Sequence, residues 1–238
     1  MSLGIQLYSV REDIGPDRLE GTLERLAGYG FTHVEPYDIL SDTAGLRAAV
    51  AATGLTASTA HAKITELDRD AVLDAAESLG IETVIVPFVP PVSIADRDGV
   101  LALADAINAV VPVAAERGIR IGYHNHDFEF SQSVDGRTAY DILVEALDPA
   151  VVLELDTYWA AVGGEDVLGL IPRLGDRVRF LHVKEDGTNP FDVTAAIAAA
   201  RSLELPVVEV VVHEGDVFPL VERNAAFFAE RLPRAVDA

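Results

Sequence analysis

Eight short runs rich in β-branched and aromatic residues alternate with longer Ala- and Leu-rich segments, and this alternation constrains the fold more than any other feature of the chain. The runs are GIQLYSV (4–10), FTHVEP (31–36), LTASTAH (55–61), ETVIVPF (82–88), IRIGYH (119–124), VVLELD (151–156), VRFLHVK (178–184) and PVVEVVVHE (206–214). Between them, stretches such as DRLEGTLERLAGYG, AGLRAAVAATG and RDAVLDAAESLG carry apolar residues at helical spacing. Several close on a glycine just before the next strand, at Gly30, Gly54, Gly80 and Gly118, the residue favoured where a helix ends in a left-handed turn. Strict strand–helix alternation is the sequence form of a parallel sheet covered by helices. Two architectures share it. A doubly wound sheet usually carries a Gly-rich phosphate loop after its first strand, and here that strand runs into YSVRED with neither GxGxxG nor GxxxxGK[ST]. Eight units over this length average about 30 residues each, close to a (β/α)8 barrel of about 250 residues. No linker, low-complexity tract or composition break interrupts the chain. The expectation is one α/β domain over 1–238, a single (β/α)8 TIM barrel.

Composition narrows the partners. Half the residues are hydrophobic (50%), enough for a sizeable core. Lys plus Arg total 18 against 39 Asp plus Glu, a formal charge of −21. A surface that acidic repels phosphate backbones and anionic lipid heads, which argues against nucleic-acid and membrane partners. The chain has no cysteine, so any metal is held by His, Asp or Glu. The N-terminal MSLGIQLYSVRED lacks a basic n-region, and no run of about 18 apolar residues is present. The expected setting is a soluble, cytoplasmic protein.

In a barrel of this type the chemistry lies at the C-terminal ends of the strands. His61 ends strand three, His124 and His126 end strand five, His182 is late in strand seven and His213 ends strand eight, while His33 is mid-strand. A lone histidine is more often a core or surface residue; five at one rim are not so easily dismissed. Glu154 and Asp156 are two apart and share the interior face of strand six, as do His182 and Lys184 on strand seven. Glu214 ends the apolar run VVEVVVHEGD. Charges in such places are too costly to leave unpaired. A divalent cation held by Asp156, His182 and Glu214 would pair them in one step; the competing arrangement is an ion-pair network centred on Lys184. An oxygen-rich, thiol-free site with one imidazole favours Mn²⁺, Mg²⁺, Co²⁺ or Fe²⁺, and Zn²⁺ also accepts these ligands.

The motifs QLYSVRED, GYGFTHVEPY, GYHNHDFEF, LELDTYWAAVGGED and HVKE together resemble the sugar phosphate isomerase/epimerase group of the xylose isomerase-like TIM barrels, along the whole chain. The resemblance implies an enzyme of carbohydrate metabolism with one divalent cation, manganese first. Its ligands would be a strand-five Glu, a strand-six Asp, a strand-seven His and a strand-eight Glu. The last three fall on Asp156, His182 and Glu214. Where the family has Glu followed by Asn-His, this chain has His124-Asn125-His126, so the fourth ligand is His124, or Glu129 reaching in from the loop. A Gly-rich segment usual after the strand-seven motif is also missing, which shortens that loop. The superfamily's DNA-repair endonucleases carry a multi-metal histidine set that is not evident here.

The function implied is a metal-dependent isomerase or epimerase of a sugar or keto-sugar, working through an enediolate. Glu214 or His126 would remove the carbon-bound proton, and Lys184, projecting over the metal beside His182, would steady the oxyanion or return a proton. Near a cation the Lys184 ammonium is expected to lose its proton more readily; the structural alternative is that it neutralises Glu154 or Glu185. Tyr8, Glu35, His61 and Trp159 would line the substrate pocket. Elimination from a 3-keto-glycoside by a lyase uses the same groups, and a third reading is a non-catalytic sugar-binding partner subunit. Few basic residues and no phosphate loop favour an unphosphorylated sugar. Barrels of this kind often form homodimers.

Overall fold

The computed structural model describes residues 2–15, 17–211 and 215–232. Its eight barrel strands are β1 (Gly4–Gln6), β2 (His33–Glu35), β3 (Thr59–His61), β4 (Thr83–Val86), β5 (Arg120–His124), β6 (Val152–Asp156), β7 (Val178–Val183) and β8 (Leu205–Val208). All pair in parallel, in the order β2-β1-β8-β7-β6-β5-β4-β3. The ring closes between β2 and the residues leading into β3, where His33 bridges Thr56 and the Val34 amide donates to the Thr56 carbonyl at 2.9 Å. The barrel is the one the alternation predicts.

The helices that wrap it are α1 (Leu19–Gly28), α2 (Thr43–Thr53), α3 (Arg69–Leu79), α4 (Arg97–Asn108), α5 (Val111–Glu116), α6 (Phe128–Ser131), α7 (Ala139–Ala146), α8 (Thr157–Val162), α9 (Val167–Leu174), α10 (Val193–Ala199) and α11 (Phe218–Arg231). Aspartates start several of them: the side chains of Asp42, Asp68 and Asp96 accept from the amides of Gly45, Ala71 and Gly99, satisfying donors that a helix start leaves free. Gly54 and Gly80 end α2 and α3 at φ of 70° and 73°, the left-handed turn that glycine takes at no steric cost. The stretch Arg97–Glu116 is long and apolar enough, by length and composition, to cross a membrane. Here it forms α4 and α5, buries Val100, Ala104, Ile107 and Ala114 and exposes Asp98 and Asp105, the pattern of a helix laid on a core.

Strands are shorter than their apolar runs suggest. Strand one stops at Gln6, whose side chain accepts from the Tyr8 amide and starts a 3₁₀ turn over Leu7–Asp13. Strand eight ends at Val208, not at 214. This brings Glu209 to the mouth of the barrel.

Inside the ring, Ile85, Val152, Phe180, Leu205 and Val207 form a separate apolar plug. Gly122 makes room for it, since a Cβ there would come within 2.9 Å of the Ile85 side chain. Side chains alternate along a strand, so the interior residues two positions further on form the next layer. They are His124 after Gly122, Glu154 after Val152, His182 after Phe180 and Glu209 after Val207. The apolar plug therefore floors a polar layer facing the C-terminal mouth.

Candidate metal centre and cleft

The polar layer is buried and tightly knit. His61 Nε2 lies 2.6 Å from Glu154 Oε2 and 3.1 Å from Glu35 Oε1. His182 Nε2 meets the same two oxygens, at 3.1 and 2.9 Å, and the Gln6 side-chain amide donates to Glu35 at 2.8 Å. Glu35, His61, Glu154 and His182 are each no more than 5% exposed. Burial pulls the His61 imidazole down, but Glu35 and Glu154 outweigh it and lift it to about 10. Burial likewise opposes charge on His182, and Glu154 and Glu209 override it, raising it well above the usual range. Glu154 is driven the other way, far below an ordinary carboxyl, because His182 and His61 outweigh the cost of its burial.

This network gives a pH signature. His61 titrates near 6.5 when unfolded and near 10 when folded, so its stabilisation is complete below pH 6.5 and lost as pH rises toward 10. In EDTA, the unfolding free energy read from urea curves is expected to fall by roughly 3–5 kcal/mol between pH 6.5 and 10, at 1.36 kcal/mol per unit, and His61→Asn should flatten that slope. A free energy that stays level or rises over this window overturns the assignment.

Above it, one ligand atom each from His124, Asp156, His182 and Glu209 converge, all within 4.8 Å of one another. His182 Nδ1 lies 3.1 Å from Glu209 Oε2 and 3.9 Å from Asp156 Oδ2, so the ring turns Nε2 to the lower carboxylates and Nδ1 to the upper ones. Burial and then the neighbouring Glu209 charge push Asp156 up to about 7; Glu209 falls to about 2, because His182 outweighs its burial. His124 Nδ1 is buried and makes no well-aligned hydrogen bond, although Glu154 Oε2 lies 3.2 Å away. Two mutually repelling carboxylates and an unsatisfied imidazole nitrogen are what a divalent cation neutralises, and two nitrogens with two oxygens suit manganese or zinc. The donor set fits a metal. A second group, His61, His124, Glu154 and His182, also converges, but its one carboxylate, Glu154, already meets all three imidazoles, at 2.6, 3.2 and 3.1 Å.

A cleft of about 420 Å³ opens over the centre, lined among others by Tyr8, Tyr37, His61, Lys63, Phe88, His124, His126, Trp159 and Glu209. Of the predicted pocket residues, Tyr8, His61 and Trp159 are on its wall. Glu35 is not: it lies beneath His61 and His182. Trp159 is placed by the start of α8, where its amide donates to Asp156 Oδ1 at 2.7 Å. His126 also lines the cleft; burial, then His124, holds it down at about 3, so it stays neutral. Glu129 does not reach the metal centre. It accepts from the Tyr123 hydroxyl and the His126 amide, both at 2.8 Å, and so fixes the loop that carries His126. Lys184 borders a smaller recess shared with Asp156, His182 and Glu209. Its ammonium pairs with Asp186 at 2.7 Å and sits 3.5 Å above the Tyr158 ring, partners other than the Glu154 or Glu185 expected from sequence.

Glu214, assigned from sequence as ligand and base, lies outside the described residues, as does His213. Glu209 is the acidic residue that sequence reasoning missed. Its signal was present: it is a charge within the apolar run 206–214, two residues beyond Val207.

The family model for the xylose isomerase-like TIM barrel matches residues 5–199. Inosose dehydratase of Geobacillus kaustophilus (strain HTA426) is 32% identical over 85 residues, 35% of this chain and 27% of that protein. Inosose dehydratase of Bacillus anthracis is 30% identical over 92 residues, 38% of this chain and 30% of that protein. The matched stretch thus spans under a third of these curated relatives. Among solved structures, a sugar phosphate isomerase/epimerase from Parabacteroides distasonis superposes with a TM-score of 0.86 at 22% identity, covering 98% of this chain and 94% of that one. The 3-keto-D-glucoside 4-epimerase of E. coli gives 0.72 at 17% identity, covering 97% and 99%. At such identities the structural likeness carries the fold alone.

Proposed function

This chain belongs to the xylose isomerase-like TIM barrel family, and on that premise we propose that it is a divalent-metal-dependent keto-sugar isomerase or epimerase. The observation that carries the reading is the convergence of His124, Asp156, His182 and Glu209 at the floor of an aromatic-walled cleft. Those four residues would hold the cation, which when bound polarises a carbonyl and its neighbouring hydroxyl and acidifies the carbon-bound proton between them.

The chain's own groups supply the rest. Glu209 is ionised and borders both the cleft and the recess, so it is the group to take the proton, the role that sequence gave to Glu214. Lys184 Nζ, steadied by Asp186 and Tyr158, faces the same recess and returns a proton or steadies the enediolate oxygen. Neutral His126 lines the cleft but not the recess beside the metal ligands, so its place is to hydrogen-bond a substrate hydroxyl rather than to act as the base. Trp159 offers a flat face to the sugar ring, and Tyr8 lines the same cleft.

The dehydratase relatives favour a second reading, in which loss of a leaving group from the next carbon follows the same proton removal. Both readings begin with one exchangeable proton. Ketohexoses and 3-keto-glucosides incubated with manganese-loaded protein in D₂O are expected to gain deuterium at that carbon by NMR, with a rearranged sugar marking isomerisation and a released group marking elimination. Lys184→Met should lower turnover by about 10²-fold or more with manganese still bound. Full turnover in that variant removes Lys184 from the mechanism, and no deuterium uptake by any of these sugars overturns the reading itself.

A further inference from the structure

Away from the metal ligands, the cleft wall is largely aromatic, with Tyr8, Tyr37, Phe88 and Trp159 on it. The ring of His126 lies 5.1 Å from that of the ligand His124 and 5.4 Å from that of Phe88, edge-on to both. The ammonium of Lys63 sits over the Phe88 ring, 5.4 Å from its centre. Tyr8 and Tyr37 follow β1 and β2, four strands around the ring from β5 and β6, so they face His126 and Trp159 across the mouth. They pack edge-to-face at 5.2 Å, and Tyr8 is 40% exposed. A volume of about 420 Å³ lies in the range of pockets that bury a drug-sized ligand. The loop after β7 contributes no residue to this wall; Glu185 in that loop is tied to Asn224 on α11 by hydrogen bonds of 2.6 and 3.1 Å.

We propose that the outer half of the cleft is a subsite for a planar aromatic group, so that the substrate is an aryl glycoside and not a free sugar. The proposal rests on the sugar reading above and names the other half of its substrate. Sugar hydroxyls placed against Phe88 would lose water without gaining partners, whereas a flat ring between Phe88 and the facing tyrosines gains stacked and edge contacts.

Trp159 is the only tryptophan in the chain and lies on the cleft wall, so its fluorescence reports occupancy without turnover. Phenyl β-D-glucoside and methyl β-D-glucoside are titrated into manganese-loaded protein, with calorimetry as a second readout. The phenyl compound is expected to bind about tenfold more tightly, the size of one or two aromatic contacts. Phe88→Leu, which keeps the bulk and removes the ring, should bring the ratio of the two affinities toward one, and Tyr8→Leu on the facing wall should lower it as well. Equal affinities in the parent protein, or no binding of the phenyl compound, overturn the subsite. A manganese titration without glycoside separates the cases: if the metal binds while the ratio is one, only the aryl subsite fails, and if no metal binds, the sugar reading fails with it.

Discussion

Glu154→Leu is expected to cost the metal-free protein about 3–5 kcal/mol of stability, the range seen when one partner of a buried ion pair is removed. The glutamate is fully buried, and its Oε2 lies 2.6, 3.1 and 3.2 Å from nitrogens of His61, His182 and His124. Leucine fills a similar space but accepts no hydrogen bond. His182 keeps Glu209, but Glu35 is then the one carboxylate left to His61 and is shared with His182 Nε2, so the His61 imidazole must either stay charged on a divided partner or give up its proton. Each alternative is costly in a layer floored by Ile85, Val152 and Phe180. Urea unfolding in EDTA near pH 7 reads the effect directly. A loss below about 1 kcal/mol, the value of an exposed pair, would show that the carboxylate does not hold the layer together.

Asp156→Asn separates stability from metal binding, because the two are expected to move in opposite directions. The Asp156 carboxylate caps α8 through the Trp159 amide, a role asparagine performs equally well. What asparagine lacks is the charge. Losing a direct ligand's charge should weaken manganese binding by at least about 100-fold, the upper end of what removing an outer hydrogen-bond partner does. In metal-free protein the sign reverses. Asp156 titrates near 7 when folded and near 3.8 otherwise, so its ionisation penalises the fold increasingly from pH 3.8 upward and fully above pH 7. At pH 8 the metal-free variant is therefore expected to resist urea better than the parent, while the parent gains more from added manganese. Calorimetric titration and paired urea curves measure both halves. Unchanged manganese affinity with the fold intact would remove Asp156 from the metal centre.

The sequence determined the architecture because the barrel is written in local terms. Strand–helix alternation, helix-ending glycines such as Gly54 and Gly80, and the absence of a phosphate loop each depend on nearby residues alone. The same locality made Asp156 and His182 readable, since a two-residue spacing puts a charge on a strand's interior face whatever the rest of the chain does. The tertiary structure decided which of those charges meet. Where β8 ends is set by its pairing with β7, Leu205 against Phe180 through Val208 against Val183, and not by the apolar run that continues past it. That register brings Glu209 to His182. Glu35 reads from sequence as a pocket residue, yet its place under His61 and His182 follows from closing a ring of eight strands, which joins residues 147 positions apart. The partners of Lys184, Asp186 and Tyr158, come from a loop turn and from the neighbouring strand's helix. Periodicity specifies the face on which a side chain lies; only the closed barrel specifies what stands across from it.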